Sequence, residues 1–268
     1  MKIGILSNMD KIGTEKTREE MRRFLERAGH DTLFFSTHTE VKGVDVVIVL
    51  GGDGAILHAA VVAAQKGIKI IGINYGTLGF LTEYERNEWE DVKDLLSALG
   101  RGSCKIVKRS LLEVTVGGKS YYALNEIAVQ RDNHPTAMSN SQILKVEFSA
   151  NEGRELIAGD GVLICTPTGS TAYSLSAGGA ILTPEVPVFM MTPICAFSMR
   201  ARPIVFSNAD EFQVKIAKGR ANVLADGNVF AALSEGEELH VKKAPFTADF
   251  PVKDDVDFFA RVRNKLNG

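Results

Sequence analysis

The sequence predicts an N-terminal α/β domain built on a parallel sheet, followed by a C-terminal domain of mainly antiparallel β-strands. Two observations support this prediction. Apolar runs of strand length alternate with helical segments in the first 100 residues, which is typical of βαβ units. Beyond them the apolar runs are short, alternate with polar residues and are separated by glycine turns, which favours antiparallel sheets. A chain of 268 residues can form two domains that each bury a core.

The predicted domain limits are residues 1–100 for the α/β domain, 101–250 for the β-rich domain and 251–268 for a tail. Glycine and serine cluster at residues 100–103, which is typical of a linker. Apolar residues at helical spacing predict a helix at residues 255–266. We expect this tail to pack back on the N-terminal domain.

Strands and helices alternate in the N-terminal half, as in Rossmann-like or flavodoxin-like sheets. The strands are predicted at residues 2–7, 32–35, 44–50 and 69–73, and the helices at residues 17–28, 55–66 and 88–99. Thr17 and Glu20 can form a capping box at the start of the first helix. Gly29 and Gly67 then mark the ends of the first two helices.

The third strand leads into a glycine-rich turn, Gly51-Gly52-Asp53-Gly54. An α/β sheet binds ligands at the carboxyl end of a strand beside a helix N-terminus. Glycines let backbone N–H groups approach phosphate oxygens closely. A carboxylate in such a place repels phosphate unless it binds a metal ion or accepts a proton, so Asp53 indicates catalysis. The alternative is that Asp53 only caps the following helix.

The fourth strand ends in a second loop at the same edge of the sheet, residues 74–82. This loop carries an aromatic side chain, Phe80, which can form the wall of a pocket for a flat ring. The alternative is that Leu78 and Phe80 fill the core.

Nine strands and one helical interruption are predicted in the C-terminal half. Gly117 and Gly118 predict a hairpin turn after the first strand, and the interruption follows Thr168. The strands are predicted at residues 105–116, 121–130, 142–148, 156–165, 202–206, 212–216, 223–225, 238–241 and 246–250.

Polar residues interrupt this half where a strand would otherwise continue or simply end. Asn125 and Glu126 lie between apolar runs, where an amide and a carboxylate can bind ribose hydroxyls or the edge of a base. The alternative is a polar pair on an exposed face. Asp226-Gly227 predicts a turn, which could have no other function.

A second polar stretch begins at Gly159-Asp160-Gly161 and continues, after a short strand, through residues 166–179. Residues 166–179 are rich in small side chains and hydroxyls at a helix start. Thr168 and Ser170 can cap that helix, while Tyr173 offers a ring face and a hydroxyl group.

The composition is that of an ordinary globular protein, with a net charge of −2 and scattered basic residues, so we expect no nucleic-acid partner. No apolar run has the length of a membrane span or a signal sequence. The three cysteines lack paired spacing, which argues against a disulfide framework or a zinc site and indicates the cytoplasm. We expect all three to be small buried side chains.

Taken together, these segments resemble the NAD kinase family of the bacterial type, ATP:NAD 2′-phosphotransferases. The resemblance spans essentially the whole chain. Position 55 is Ala, where that family usually has Thr. The resemblance is carried by residues 51–54, 74–82, 125–126, 159–161, 166–179 and 226–227.

The resemblance implies ATP and NAD as substrates, Mg²⁺ or another divalent cation bound with ATP, and a homodimer or homotetramer. Asp53 would activate the ribose 2′-hydroxyl, and no residue is assigned as a metal ligand. The residues that would face the phosphates are Gly51, Gly52 and Gly54. The residues that would bind NAD are Gly54, Phe80, Asn125, Glu126, Asp160, Thr171, Ala172, Tyr173, Ser176 and Asp226.

Two other functions are compatible with the glycine turn: a lipid or sphingoid-base kinase, and a non-catalytic dinucleotide sensor. The hydroxyl-rich residues 166–176 argue against an apolar lipid tunnel, and a sensor would have little use for Asp53. The chain has no GxxxxGK[ST] motif, so no P-loop lysine is available to neutralise phosphate charge. A basic side chain such as Arg109 could contribute, although a surface position is the favoured interpretation of Arg109.

Overall fold

The computed structural model of the chain describes residues 1–7, 15–76, 79–132, 143–151, 153–252 and 258–266. The chain divides into two compact units. Unit 1 contains Met1–Arg109 and Phe246–Gly268, and unit 2 contains Ser110–Pro245. The sequence predicted the second domain at residues 101–250, so unit 2 is shorter at both ends. The C-terminal tail belongs to unit 1.

Unit 1 contains a parallel sheet with α-helices between its strands. Its described residues form five strands in the order β2-β1-β3-β4-β5, all paired in parallel. A short 3₁₀ turn lies at His38–Glu40. The elements are β1 (Lys2–Ser7), α1 (Glu15–Arg27), β2 (Asp31–Phe35), β3 (Val46–Gly51), α2 (Asp53–Gln65), β4 (Lys69–Asn74), β5 (Tyr84–Glu85) and α3 (Trp89–Gly100).

Strand β3 lies at the centre of this sheet because its residues are apolar on both faces. All six of its residues are buried, as expected of a parallel strand covered by helices. Ile48 of β3 shares its core with Met21 of α1 and Leu96 of α3. The glycine turn therefore follows the most deeply buried strand of unit 1.

The strands and helices predicted for the N-terminal half are confirmed, with shifts of a few residues. The predicted capping box is wrong, because α1 already includes Glu15 and Thr17 lies within it. Helix α2 begins at Asp53, two residues earlier than predicted. Gly67 ends α2 as predicted: its φ is +66°, its N–H donates to the Ala64 carbonyl, and the Ile68 N–H donates to the Ala63 carbonyl. This is a Schellman motif.

Unit 2 is built mainly of antiparallel strands, and β6 and β17 continue into unit 1. A 3₁₀ turn lies at Thr168–Thr171. The elements are β6 (Lys105–Val116), β7 (Lys119–Ala123), β8 (Glu126–Arg131), β9 (Leu144–Ala150), β10 (Gly153–Gly159), β11 (Gly161–Cys165), α4 (Tyr173–Ser176), β12 (Val188–Ile194), β13 (Ile204–Ser207), β14 (Phe212–Lys218), β15 (Arg220–Ala225), β16 (Asn228–Ser234) and β17 (Glu238–Val252).

The chain ends in helix α5 (Phe258–Leu266), which belongs to unit 1. The first part of the predicted tail helix, residues 255–257, lies outside the described residues, as does Leu78. None of the helices in the described part of the chain combines the length and apolarity needed to cross a membrane.

The strands of unit 2 belong to two six-stranded sheets, in the orders β10-β9-β14-β17-β6-β7 and β13-β12-β11-β8-β15-β16. Apolar side chains from both sheets form one core. For example, Phe212 of the first sheet and Phe189 of the second have ring centroids 6.5 Å apart. The predicted antiparallel, β-rich fold class is therefore confirmed.

Several predicted strand limits in unit 2 are wrong because the chain passes from one sheet to the other. The strand predicted at residues 121–130 breaks at residues 124–125, where β7 ends in the first sheet and β8 begins in the second. The strand predicted at residues 156–165 breaks in the same way at Asp160. In contrast, the two strands predicted at residues 238–250 form one continuous strand, β17.

Two strands of unit 2, β12 and β16, were not predicted. Strand β12 lies inside its sheet, between β11 and β13, although it contains Pro193, which pairs with Val162. Proline cannot donate to a ladder of hydrogen bonds, and its presence normally argues against an interior strand.

Three side chains lie in environments that the sequence did not indicate. Cys165 is buried as expected, but Cys104 is only partly buried and Cys195 is exposed, with a φ of +45°. Arg109 is not a surface residue: it is 6% exposed, and its guanidinium carbon lies 5.3 Å from the centroid of the Phe250 ring.

Replacing Gly67 with Ala tests the end of α2. A Cβ at Gly67 would meet no atom within 4 Å, so the cost comes from the positive φ alone. We expect Gly67→Ala to lower the free energy of unfolding by about 1–2 kcal/mol, measured by urea denaturation. Gly100→Ala is the matched control, because Gly100 ends α3 without a positive φ and its Cβ also meets nothing. Equal stability of the two variants would contradict the prediction.

Candidate functional site

The glycine turn joins the end of β3 to the start of α2. Gly52 is the N-cap residue of α2 and has extended backbone angles. A Cβ built on Gly52 or on Gly54 would meet no atom within 4 Å, so both residues border open space. Gly51 is buried, and a Cβ there would lie 2.8 Å from the Ala55 Cβ. The first turn of α2 therefore presents its backbone to the space beside Gly52 and Gly54.

Asp53 is the first residue of α2, but it does not cap the helix. Its Oδ2 accepts a hydrogen bond from the Phe80 N–H at 2.7 Å, and its Oδ1 accepts one from the Leu81 N–H at 2.9 Å. The capping interpretation of Asp53 is therefore wrong. The carboxylate instead joins the glycine turn to the loop after β4.

This arrangement requires a glycine at position 79. A Cβ at Gly79 would lie 2.0 Å from Asp53 Oδ1, so any other side chain would displace the carboxylate. The sequence showed Gly79 as a loop glycine, but nothing in it indicated which group approaches Gly79.

Helix α5 brings a second charged group to Asp53. The Lys265 Nζ lies 3.3 Å from Asp53 Oδ2 and 4.2 Å from the centroid of the Phe80 ring. One turn earlier in α5, Arg261 donates to the Phe80 carbonyl at 3.0 Å and pairs with Glu83. Sequence reasoning identified the apolar residues of this helix and missed both basic residues.

In unit 2, Asp226 holds the break between β7 and β8. Asp226 has a φ of +47°, and its carboxylate accepts hydrogen bonds from the N–H groups of Leu124 (2.9 Å), Asn125 (2.8 Å) and Glu126 (3.2 Å). Asp226 therefore does more than form a turn, because its carboxylate binds the segment that carries Asn125 and Glu126.

Glu126 is a buried carboxylic acid. It is 6% exposed, and its Oε2 has no hydrogen-bond partner among the described residues. Burial, together with the nearby charge of Asp226, raises the pKa of Glu126 to about 7. A buried oxygen without a partner indicates a place where a polar group of a ligand can bind.

The segment after β11 packs directly on Asn125. The Thr166 hydroxyl donates to the Leu124 carbonyl at 2.6 Å and accepts a hydrogen bond from the Gly169 N–H. A Cβ at Gly169 would lie 2.1 Å from the Asn125 carbonyl oxygen, so only glycine fits there.

The two residues expected to cap the helix in this segment, Thr168 and Ser170, do not lie at its N-cap position. The Ser170 hydroxyl donates to the Pro167 carbonyl and accepts a hydrogen bond from the Leu182 N–H. Thr168 is not at an N-cap position, because it lies within the 3₁₀ turn, whose N-cap residue is Pro167, and α4 has Ala172 as its N-cap residue. The capping prediction for Thr168 and Ser170 is therefore wrong.

The remaining candidates of unit 2 lie near the ends of β8 and β11. The Tyr173 hydroxyl accepts a hydrogen bond from the Gln130 side chain at 2.6 Å. Asp160 pairs with Arg131, the neighbour of Gln130, at 3.1 Å. Thr171 and Ala172 are partly buried, whereas Ser176 is exposed.

In each unit the structure brings some of the candidates together. Unit 1 brings together Asp53, Phe80 and the glycines of residues 51–54, and unit 2 joins Asn125 and Glu126 to Asp226. Within the ranges that the structure describes, no group of three or more His, Cys, Asp or Glu side chains could hold a metal ion.

Comparisons with known proteins give a consistent result for both halves of the chain. The family model of the ATP-NAD kinase N-terminal domain matches residues 7–103. The model of the ATP-NAD kinase C-terminal domain matches residues 124–251.

Among curated relatives, the NAD kinase of Methanothermobacter thermautotrophicus is 35% identical, over 99% of this chain and 96% of its own length. The NAD kinase of Fusobacterium nucleatum is 31% identical, over 99% and 97%. Among solved structures, yeast NADH kinase complexed with NADH has a TM-score of 0.83 at 25% identity, covering all of this chain and 87% of that one. An Archaeoglobus fulgidus NAD kinase in complex with ATP has a TM-score of 0.80 at 25% identity, covering 100% and 98%.

The raised pKa of Glu126 predicts a pH-dependent stability. Between the unperturbed pKa of 4.5 and about 7, the folded protein binds more protons than the unfolded chain, so folding loses stability as pH rises through this range. Gln cannot ionise. We therefore expect the stability of Glu126→Gln, relative to the wild type, to rise between pH 5 and pH 8 by about 1–3 kcal/mol, measured by urea denaturation at both pH values.

Glu235→Gln serves as the control, because Glu235 is exposed. Its stability relative to the wild type should stay constant between the two pH values. A constant difference for Glu126→Gln as well would show that the pKa of Glu126 is not raised in the folded protein.

Proposed function

The chain belongs to the NAD kinase family, and from this premise we propose how its residues carry out the reaction. The enzyme transfers the γ-phosphoryl group of ATP to the 2′-hydroxyl of the adenosine ribose of NAD, which yields NADP and ADP. Phosphoryl transfer requires the protein chiefly to position the reactants and to stabilise charge. The observation that carries our assignment is the Asp53 carboxylate, fixed at the glycine turn by the N–H groups of Phe80 and Leu81.

Asp53 acts as the general base. The 2′-hydroxyl gives its proton to the Asp53 carboxylate while its oxygen forms a bond to the γ-phosphorus. The bond from that phosphorus to the β–γ bridging oxygen breaks, and ADP leaves. A positioned general base contributes ~10²–10⁴-fold to the rate. Because both carboxylate oxygens are bound by backbone groups, Asp53 loses little side-chain freedom when the substrates bind.

The phosphates of ATP lie beside the glycine turn. The open space at Gly52 and Gly54 lets phosphate oxygens approach backbone N–H groups at the positive end of α2. Asp53 is the one carboxylate of residues 51–54 and would be available to Mg²⁺ that enters with ATP, because Mg²⁺ is usually bound through substrate phosphates, waters and one or two carboxylates. Bound in this way, Mg²⁺ would neutralise part of the phosphate charge.

Glu126 and Asn125 bind the adenosine ribose. The unpartnered Oε2 of Glu126 is a buried acceptor, and a ribose hydroxyl is a donor of suitable size. The family resemblance assigns Asp226 to the nicotinamide side of NAD. Its bonds to the N–H groups of residues 124–126 support a second role, in which Asp226 holds Asn125 and Glu126 in place for the ribose.

The remaining NAD contacts follow the family resemblance. By this resemblance Phe80 of unit 1 contacts the adenine of NAD, as do Thr171, Ala172 and Tyr173 of unit 2, with Ser176 beside these three. Asp160 contributes on the nicotinamide side. Ala172 is partly buried at the start of α4, and its small side chain leaves room for a flat ring.

The enzyme works in the cytoplasm as a homo-oligomer. None of its three cysteines forms a disulfide bond, as is usual in a reducing compartment. Phe197 and Met199 of unit 2 are 81% and 83% exposed. Large apolar side chains with such exposure are suited to contact with a second copy of the chain.

Formation of NADP tests the substrate. The purified protein, incubated with NAD, ATP and Mg²⁺, should form NADP, which an NADP-specific dehydrogenase detects. Diacylglycerol and sphingosine should not be phosphorylated under the same conditions. Lipid phosphorylation without NADP formation would favour the lipid-kinase alternative.

Asp53→Asn tests the base. Asn cannot accept the proton, so we expect kcat to fall by about 10²-fold or more, with a much smaller change in NAD affinity by calorimetry. The Asn amide group would also face one of the two N–H donors, which should cost about 1 kcal/mol of stability. Urea denaturation measures this cost separately.

Asp94→Asn is the control for this variant, because Asp94 is exposed on α3 and should affect neither kcat nor stability. If folded Asp53→Asn retains near-normal turnover, Asp53 is not the base.

A further inference from the structure

Lys265, near the C-terminal end of the sequence, contacts Asp53. The hydrogen bond from Lys265 Nζ to Asp53 Oδ2 joins residues that are 212 positions apart. The side chains of Lys265 and Asp53 are 32% and 31% exposed, so solvent reaches the pair only partly. The ammonium group also lies over the Phe80 ring, a favourable position for a cation.

We propose that Lys265 is a positioning residue for the reaction, whose ammonium group cancels the charge of the Asp53 carboxylate and so allows the ATP phosphates to approach the glycine turn. This inference rests on the proposed function only in placing the phosphates beside residues 51–54. It assigns to a C-terminal lysine the charge compensation that a P-loop lysine gives in other enzymes, where the lysine follows the glycine loop directly.

The position of Lys265 is set by an anchor one turn earlier in α5. Arg261 and Lys265 are four residues apart and therefore lie on the same face of the helix. The Arg261 guanidinium donates to the Phe80 carbonyl and to both carboxylate oxygens of Glu83. The Arg261 and Glu83 side chains are 16% and 6% exposed, and a well-shielded bidentate pair of this kind is geometrically specific. The contacts of Arg261 thus hold Lys265 beside Asp53 in a defined orientation.

Phe80 connects the two basic residues to the catalytic carboxylate. Its N–H donates to Asp53, its carbonyl accepts from Arg261, and its ring lies under Lys265. Phe80 is also a proposed contact of the NAD adenine. A single residue of the loop therefore links the base, the charge-compensating lysine and the substrate.

The charge argument gives a definite order of ATP affinities. The Asp53–Lys265 pair has a net charge of zero in the wild type, −1 in Lys265→Met, +1 in Asp53→Asn and zero in the double variant. Because ATP is an anion, affinity should follow this net charge. If Lys265 only held α5 in place, the order would differ. Adding Asp53→Asn to Lys265→Met would then not restore the ATP affinity lost with the lysine.

The test is the Kd of ATP with Mg²⁺ and without NAD, measured by calorimetry for the full-length protein. We expect Lys265→Met to raise this Kd about fivefold. Asp53→Asn/Lys265→Met should return it to within about twofold of the wild type, while Asp53→Asn alone should bind ATP at least as tightly as the wild type. Lys265→Arg keeps the charge and should retain the wild-type Kd.

Arg263→Met is the matched control, because Arg263 is a basic residue of the same helix but is exposed; its Kd should not change. Thermal melts show whether each variant is folded, and Lys265→Gln replaces Lys265→Met if the latter is not. In steady state, Lys265→Met should raise the KM for ATP about fivefold and the KM for NAD less than twofold.

Two results would overturn the proposal: a Kd for Lys265→Met within twofold of the wild type, or a double variant that binds ATP as weakly as Lys265→Met. The ATP Kd involves no chemical step. Near-normal turnover of Asp53→Asn would therefore contradict the assignment of the base, while leaving the test of Lys265 intact.

Discussion

The site in unit 1 depends on how the Asp53 carboxylate is held beside the glycine turn, where we propose that the phosphates of ATP bind. An aspartate side chain next to open glycines would repel an anionic ligand and would be free to rotate. Here the N–H groups of Phe80 and Leu81 bind its two oxygens, and hydrogen bonds from backbone donors to a carboxylate are among the stronger ones in proteins. Gly79 makes this approach possible, because a Cβ there would occupy the place of Asp53 Oδ1.

Unit 2 also contains an aspartate whose carboxylate is bound by backbone N–H groups, but there the aspartate fixes a break between two strands. The Asp226 carboxylate binds three consecutive N–H groups, those of residues 124–126, at the point where the chain leaves one sheet for the other. The consequence is electrostatic as well as structural. The charge of Asp226 adds to burial in raising the pKa of Glu126, so the group that fixes the backbone also affects the proton held by its neighbour. One aspartate thus stabilises the break in the strand and makes Glu126 sensitive to pH near neutrality.

The sequence was sufficient to predict the local elements. It was insufficient to predict their sheet partners and the distant groups that contact their side chains. Strand β3, the glycine turn and Gly67 follow from patterns within a few residues, namely an apolar run, consecutive glycines and a glycine after a helical segment. The break at residues 124–125 could not be seen in this way, because the apolar residues continue across it and only the sheet partners change. Strand β12 was missed because Pro193 normally excludes an interior strand. The partners of Asp53 and Asp226 were missed for a related reason, since their donors lie 27 to 102 residues away.

Lys265 shows most clearly how a site can be complete in space and divided in sequence. Family-type motifs draw attention to residues 51–54 and 74–82, which are close together along the chain. The cation that contacts Asp53 is Lys265 of α5. The sequence of that segment shows only apolar residues at helical spacing and scattered basic residues. Charge balance is a property of the folded site, and no local pattern expresses it. The absence of a P-loop lysine nevertheless poses the question, because a phosphate site with an aspartate in its turn needs a compensating charge from somewhere. Lys265 of α5 supplies a cation at that aspartate. Arg261 explains its position, because the partly buried pair of Arg261 with Glu83 joins the helix to the same loop that binds Asp53.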